Sequence, residues 1–425
     1  MNQMKQLSLI FLLSLSLFGC QDKITREITY MANVPVYLSN EEFKTAIKKT
    51  NNEELNNPGK IYIKDQYLFV NEINKGIHIY NNFNPSEPKY VCFINIPGNV
   101  DMAIKSDLLY ADSYIDLIVI DISDINNPVE VDRYPNAFPN IYPEYDYNYP
   151  IAPLDAKKGI VVDWKIEEIT VEKEEEYQYY GGGFWEKDMA LASSTNGGGT
   201  GNIGVAGSMA RFAIKGNALY AINNGYELKT FDIATHEIKK VDSISTFWNI
   251  ETLFVYEDKL FIGSNNGMFI YDVLDSKHPV YISQYDHITS CDPVVVNGDY
   301  AFVTLRSGTN CRNNINELNV VSLADIQNPI LVKAYNMYNP HGLGIDENVL
   351  FICDGSAGLK VFDATDVYSI DQNMIIQFPN IQTFDVIPLN DILIMTGSEG
   401  IYQYDYSDIQ NINEISHITI NHPLD

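Results

Sequence analysis

Leu117-Ile-Val-Ile-Asp-Ile-Ser-Asp124, followed by Asn127-Pro128, recurs along this 425-residue chain. Its echoes are Thr230-Phe-Asp-Ile-Ala234, Phe269-Ile-Tyr-Asp-Val273, Leu359-Lys-Val-Phe-Asp-Ala364 and Tyr402-Gln-Tyr-Asp-Tyr-Ser-Asp408. A short apolar strand before each echo sets a register: Leu68-Phe-Val, Leu109-Tyr-Ala, Leu219-Tyr-Ala, Leu260-Phe-Ile, Ala301-Phe-Val, Leu350-Phe-Ile and Leu393-Ile-Met. Four of the six steps between these positions are 41 or 43 residues, one is 49, and the step from 109 to 219 is 110. A repeat of fixed period decides architecture before any single residue does.

Each unit reads as four short segments rich in β-branched and aromatic residues, separated by turn residues, which makes them strands. In the second unit these are Met102-Ala-Ile-Lys, Leu108-Leu-Tyr-Ala, Asp116-Leu-Ile-Val-Ile-Asp and Val129-Glu-Val-Asp-Arg. Asn223-Asn-Gly225, Asn265-Asn-Gly267, Gly355-Ser-Ala-Gly358 and Gly397-Ser-Glu-Gly400 supply turns between the second and third strands. Asn127-Pro128, His278-Pro279 and Asn328-Pro329 precede the fourth strand, where an exposed edge tolerates proline. Four strands per roughly 40–45 residues is the period of a propeller blade. The expectation is an all-β, seven-bladed β-propeller of four-stranded blades. Residues 139–207 form an insertion between the second and third units, with a Tyr/Pro-rich start and a Gly-rich end. An alternative builds a degenerate eighth blade on Leu154–Val171.

Leu117-Ile-Val-Ile-Asp121 resembles the signature of the LVIVD-repeat proteins, bacterial β-propellers common among Bacteroidetes-type lipoproteins. The resemblance covers roughly residues 58–420. It implies the propeller and no particular reaction, because the family has no generally assigned activity. The Asp after the aromatic is the element that survives elsewhere; Asn82 takes its place in the first unit and Ser322 in the fifth.

The amino terminus carries Lys5, an apolar stretch from Leu7 to Phe18 and then Gly19-Cys20. This resembles the lipobox of bacterial lipoprotein precursors, which implies a signal peptide at 1–19 and acylation of Cys20, palmitate among the chains. Gln21 rather than Asp after the cysteine resembles outer-membrane sorting, so the expected address is the cell envelope, periplasmic or surface-facing. Residues 20–57 are read as anchor, tether and a strand-helix extension. In it Ser39-Asn-Glu-Glu42 forms a capping box opening a helix through Phe43, Ile47 and Lys49. The preceding Ile28–Leu38 is a candidate strand for closing the last blade. Residues 58–425 are the propeller.

The formal net charge of −28 argues against a nucleic-acid partner, which needs a basic footprint, and against lying flat on anionic lipid. Cys92 and Cys353 fall inside strands as small apolar residues. Cys291 and Cys311 flank a hairpin of the fifth unit, and an oxidising envelope would permit a disulfide between them.

Ligands of propellers usually meet the mouth of the central channel. Counting eight back from the register positions yields Lys60, Asp101, Arg211, Thr252, Pro293, Gly342 and Asp385. With their preceding residues, Asp101, Arg211, Asp292, His341 and Asp385 make one ring. Carboxylates with an imidazole suit a divalent cation such as calcium, with His341, Asp292 and Asp385 as ligands, and so a metal-assisted hydrolase or lyase. The competing reading is structural: the ring bonds neighbouring blades, with Arg211 neutralising the acids. No cofactor motif is present. Tyr142, Tyr145, Tyr147 and Tyr149 offer aromatic rings for a protein or glycan partner. A binding scaffold is therefore the favoured function. The recurring Asp121, Asp232, Asp272, Asp363 and Asp405 belong to the scaffold, since a reactive site is not repeated in every blade.

Overall fold

The computed structural model describes residues 26–421 apart from 52, 144, 174–202, 224, 247–248, 287–292 and 308–314. The chain divides into two compact units. The smaller takes in residues 1–36, 142–155 and 163–187, and the larger takes in 37–141, 156–162 and 188–425.

The described chain opens with β1 (Arg26–Leu38), the short helix α1 (Asn40–Lys44) and β2 (Lys48–Thr50). Blade 1 is β3 (Pro58–Lys64), β4 (Tyr67–Glu72), β5 (Gly76–Asn81) and β6 (Lys89–Asn95). Blade 2 is β7 (Met102–Lys105), β8 (Leu108–Ser113), β9 (Asp116–Asp121) and β10 (Val129–Tyr134). Next come β11 (Ile160–Lys173) and the two-residue β12 (Val205–Ala206). Blade 3 is β13 (Phe212–Lys215), β14 (Ala218–Asn223), β15 (Glu227–Asp232) and β16 (Lys239–Ser245). Blade 4 is β17 (Ile250–Tyr256), β18 (Lys259–Ser264), β19 (Gly267–Asp272) and β20 (Val280–Asp286). Blade 5 is β21 (Val294–Asn297), β22 (Tyr300–Leu305), β23 (Glu317–Ser322) and β24 (Ile330–Asn336). Blade 6 is β25 (Leu343–Asp346), β26 (Val349–Cys353), β27 (Leu359–Asp363) and β28 (Met374–Phe378). Blade 7 is β29 (Thr383–Leu389), β30 (Ile392–Gly397), β31 (Gly400–Asp405) and β32 (Asn413–Thr419).

Within every blade consecutive strands pair, so the larger unit is a seven-bladed β-propeller. The middle strands are covered on both faces by adjacent blades. This is why Leu117, Ile118, Val119 and Ile120 are all fully buried and why the motif is a continuous apolar run rather than an alternation. Each such side chain contributes about 1.5–3 kcal/mol on burial. The motif's Asp then stops the strand: Asp121 Oδ1 accepts the Ser123 N–H at 2.8 Å, and Asp232, Asp272, Asp363 and Asp405 close the same two-residue turn. In blade 1 the residue doing this is Asn81, which accepts from Phe83 N. Asn82, the residue expected there, lies one position too far along.

Blade 1 gains a strand on each edge, β12 inside and β2 outside. The capping box of α1 is present, but the helix ends at Lys44, since the backbone of Lys48–Thr50 pairs instead with β6. Two further expectations need correcting. β1 pairs with β11 in a separate two-stranded sheet and does not complete blade 7. The segment expected as an eighth blade holds, among the described residues, the single strand β11, which pairs with β1 in place of a blade of its own. The ring closes through side chains: Ile61, Leu68 and Val70 of blade 1 pack with Ile387, Ile394 and Ile401 of blade 7. Asn82 and Gln403 exchange two amide hydrogen bonds of 2.8 Å across the same junction.

Candidate functional site

The innermost strands begin at the central channel, and the chain itself runs through it. Ile203 bridges Lys105 of blade 2, and the Gly204 N–H donates to Ile104 O. Val205 and Ala206 pair with Ile63 and Tyr62 of blade 1. The fully buried Ser208 hydroxyl contacts Asp385 Oδ1 of blade 7 at 3.3 Å and accepts the Leu343 N–H of blade 6 at 2.8 Å. Lys60 Nζ donates to Met209 O at 2.8 Å, and Arg211 N donates to Asp101 Oδ2 at 2.6 Å. One segment, 203–211, is thus bonded to blades 1, 2, 6 and 7, and at its end Ala210 O and Arg211 O accept the Leu253 and Ile222 N–H groups of blades 4 and 3.

Gly204 lets it pass: an ideal Cβ there would lie 2.2 Å from the Tyr62 ring, while the bare Gly342 leaves room for Asp385, whose Oδ1 would lie 2.1 Å from a Cβ at 342. Lys60, Asp101 and Asp385 are each buried. Burial lowers the pKa of Lys60 and raises those of Asp101 and Asp385, and the opposite charges resist both shifts. Asp112 beside them is pushed up to about 6 by burial, although it accepts the Val100 and Asp101 N–H groups. Asp385 Oδ2 is buried with no hydrogen-bond partner.

Of the expected ring, the structure brings Asp101, Arg211 and Asp385 to this segment. Arg211 does so by its backbone; its guanidinium reaches Ile222 O at 3.4 Å. The buried cation facing the acids is Lys60. It occupies the same register position as Asp101 and Asp385, so its place was readable from the repeat. Ser208 was not, because nothing in the repeat points to a strand inside the channel. His341 sits just before β25, not on a turn: its N–H donates to Cys353 O, continuing the β25–β26 pairing, and its carbonyl accepts from Thr304. Its ring packs edge-on to Phe384, and Nε2 lies 3.3 Å from the Asn339 amide. Burial, with the nearby Arg306 charge, pushes its pKa down to about 3, so the imidazole is neutral. Among the described residues no group of three or more His, Cys, Asp or Glu is arranged to hold a metal ion. Asp292, Cys291, Cys311 and Cys20 lie outside the described residues. Cys92 and Cys353 are buried free thiols.

The four tyrosines fall in the smaller unit. Tyr145 and Tyr147 are 59% and 81% exposed. Tyr142 stacks on Trp164, and Tyr149 O accepts from the Asn33 side chain.

No family model and no curated protein matches the chain. Among solved structures it is similar to the computationally designed Ika8 protein, at TM-score 0.51 and 9% identity, over 88% of this chain and 92% of that one. A protein from Lactobacillus plantarum is similar at TM-score 0.50 and 11% identity, over 86% and 98% respectively. At such identities the likeness speaks for the fold alone.

Proposed function

We propose that this propeller is a lipid-anchored cell-envelope protein that binds a protein or glycan partner. The LVIVD-like repeat and the lipobox-like Leu17-Phe-Gly-Cys20 support the address. The observation that carries the binding role is the channel: Lys60, Asp101, Asp385 and the Leu343 N–H are all engaged in holding a peptide segment. Their chemistry is spent on recognition of backbone and hydroxyl groups. The exposed rings of Tyr145 and Tyr147 add a surface suited to stacking on sugars or a partner's apolar side chains.

Two measurements test this. Cys20→Ala is expected to abolish labelling by a palmitate analogue and to move the protein out of the membrane fraction; retention there would overturn the anchor. A photo-crosslinking residue placed at 145 or 147 is expected to give a discrete adduct in intact cells, while one placed at the exposed turn residue Asp65 gives none. The absence of any adduct from 145 and 147 would remove the aromatic stretch as the contact surface.

A further inference from the structure

The contacts of 203–211 divide unevenly between the segment and its surroundings. Each blade has its four strands without it. Residues 203–209 are held by the two-residue pairing of β12 with β3, one bridge to Lys105, the Gly204–Ile104 bond, the Ser208 bonds and the Lys60–Met209 bond, whereas Ala210 and Arg211 are tied to Leu253 of blade 4, Ile222 of blade 3 and Asp101 of blade 2. Buried Ala206, Met209 and Ala210 favour its seat. Against them stand Lys60, Asp101 and Asp385, which lose water while it is seated, and an Asp385 oxygen that goes without a partner. Lifting 203–209 would free Lys60 and the Ser208 contact of Asp385 and leave the four-strand pairing of every blade intact.

We propose that the segment 203–209 is a removable strand, and that the channel it fills is a binding site for an extended peptide that takes the same place. This deepens the scaffold reading by naming a site and a ligand class. The wall states the ligand's pattern. Tyr62 leaves no room for a side chain at the position of Gly204. Two positions on, an alanine pairs with Tyr62 and is buried. Two beyond that, a hydroxyl faces Asp385 and the Leu343 N–H. Lys60 then takes the next main-chain carbonyl. The site therefore selects Gly-x-Ala-x-Ser in extended form and reads it through main-chain bonds, as strand addition does elsewhere.

The buried thiols Cys92 and Cys353 provide internal references for full unfolding. In Ser208→Cys, thiol labelling under native conditions is expected to modify the introduced thiol at least tenfold faster than either reference. Ala206→Cys repeats the measurement with the Ser208 bonds intact, in case the first variant folds poorly. Labelling of both new cysteines as slow as Cys92 and Cys353 would show that the strand leaves only when the propeller unfolds, and would overturn its removal. A synthetic peptide of the 203–211 sequence, in excess, is expected to accelerate labelling severalfold by holding the vacated channel. The same peptide with Gly204→Leu and Ser208→Leu is expected to leave the rate unchanged. Fast labelling that neither peptide alters would overturn the peptide site. The anchor and the tyrosines play no part in these measurements, so either reading can fail without the other.

Discussion

His341 is a residue whose surroundings strongly alter its ordinary chemistry. Its folded pKa of about 3 lies below the unfolded value of 6.5, so between these values the unfolded chain binds a proton that the native chain refuses. Stability from this group is full above pH 6.5 and falls as pH drops toward 3, by up to about 1.4 kcal/mol per pH unit. His341→Gln is expected to flatten that part of the urea-midpoint profile; an unchanged slope would show that the ring is not the source. A second residue-scale feature recurs in every blade. The first turn residue between the two innermost strands has a left-handed φ, from Glu347 at +48° to Gly298 at +56° and Gly216 at +57°. An ideal Cβ on Gly298 meets nothing within 4 Å, so Gly298→Ala isolates the backbone cost, expected at about 1 kcal/mol. Glu347→Gly should gain a similar amount, and equal stability of both variants with the parent would refute the argument.

At the scale of elements, the junction between blades 1 and 7 rests on packing and the Asn82–Gln403 amide pair. Gln403 is fully buried, so Asn82→Ala leaves its amide unsatisfied at about 1–3 kcal/mol. A double-mutant cycle with Gln403→Ala is expected to show coupling of at least about 0.5 kcal/mol, and additive effects would mean the pair does not hold the ring. The outer strands show how much the repeat could reveal. In every blade one residue of the fourth strand is skipped in the pairing, and it is always Val or Ile: Val91, Val131, Val241, Ile282, Val332, Ile375 and Ile415. Bulges of this kind increase local twist, and their position was present in the aligned sequence. Strand number, blade count and the inner-strand register of Lys60, Asp101 and Asp385 were legible because each recurs. β12, the β1–β11 sheet and Ser208 were not, because each occurs once and depends on pairing between segments far apart in the chain. The burial of His341 was likewise hidden, since Pro340-His341-Gly342 reads the same whether it faces water or Phe384.

The whole molecule carries a net charge of −28. Its acids repel one another more in the compact state than in the unfolded chain, and salt shortens the range of that repulsion to about 8 Å at physiological ionic strength. Raising sodium chloride from low to half-molar concentration is expected to raise the melting temperature by a few degrees, and a fall would place the decisive electrostatics in ion pairs instead. The strand within the channel also bears on the order of assembly. Its pairing partners, Tyr62 and Ile63 of blade 1 and Lys105 of blade 2, all precede it in the chain, whereas blades 3–7 follow it. Blades are local structures, quick to form from neighbouring strands. The expected sequence is that blades 1 and 2 fold first, receive 203–206 on their inner edges, and then act with it as a mandrel around which the other five blades are wound. Pulsed hydrogen exchange during refolding should protect β3 and β7 before β29, and the reverse order would sink the scheme. On this view the channel is never drilled through a finished ring: the ring is built around a core strand already laid down.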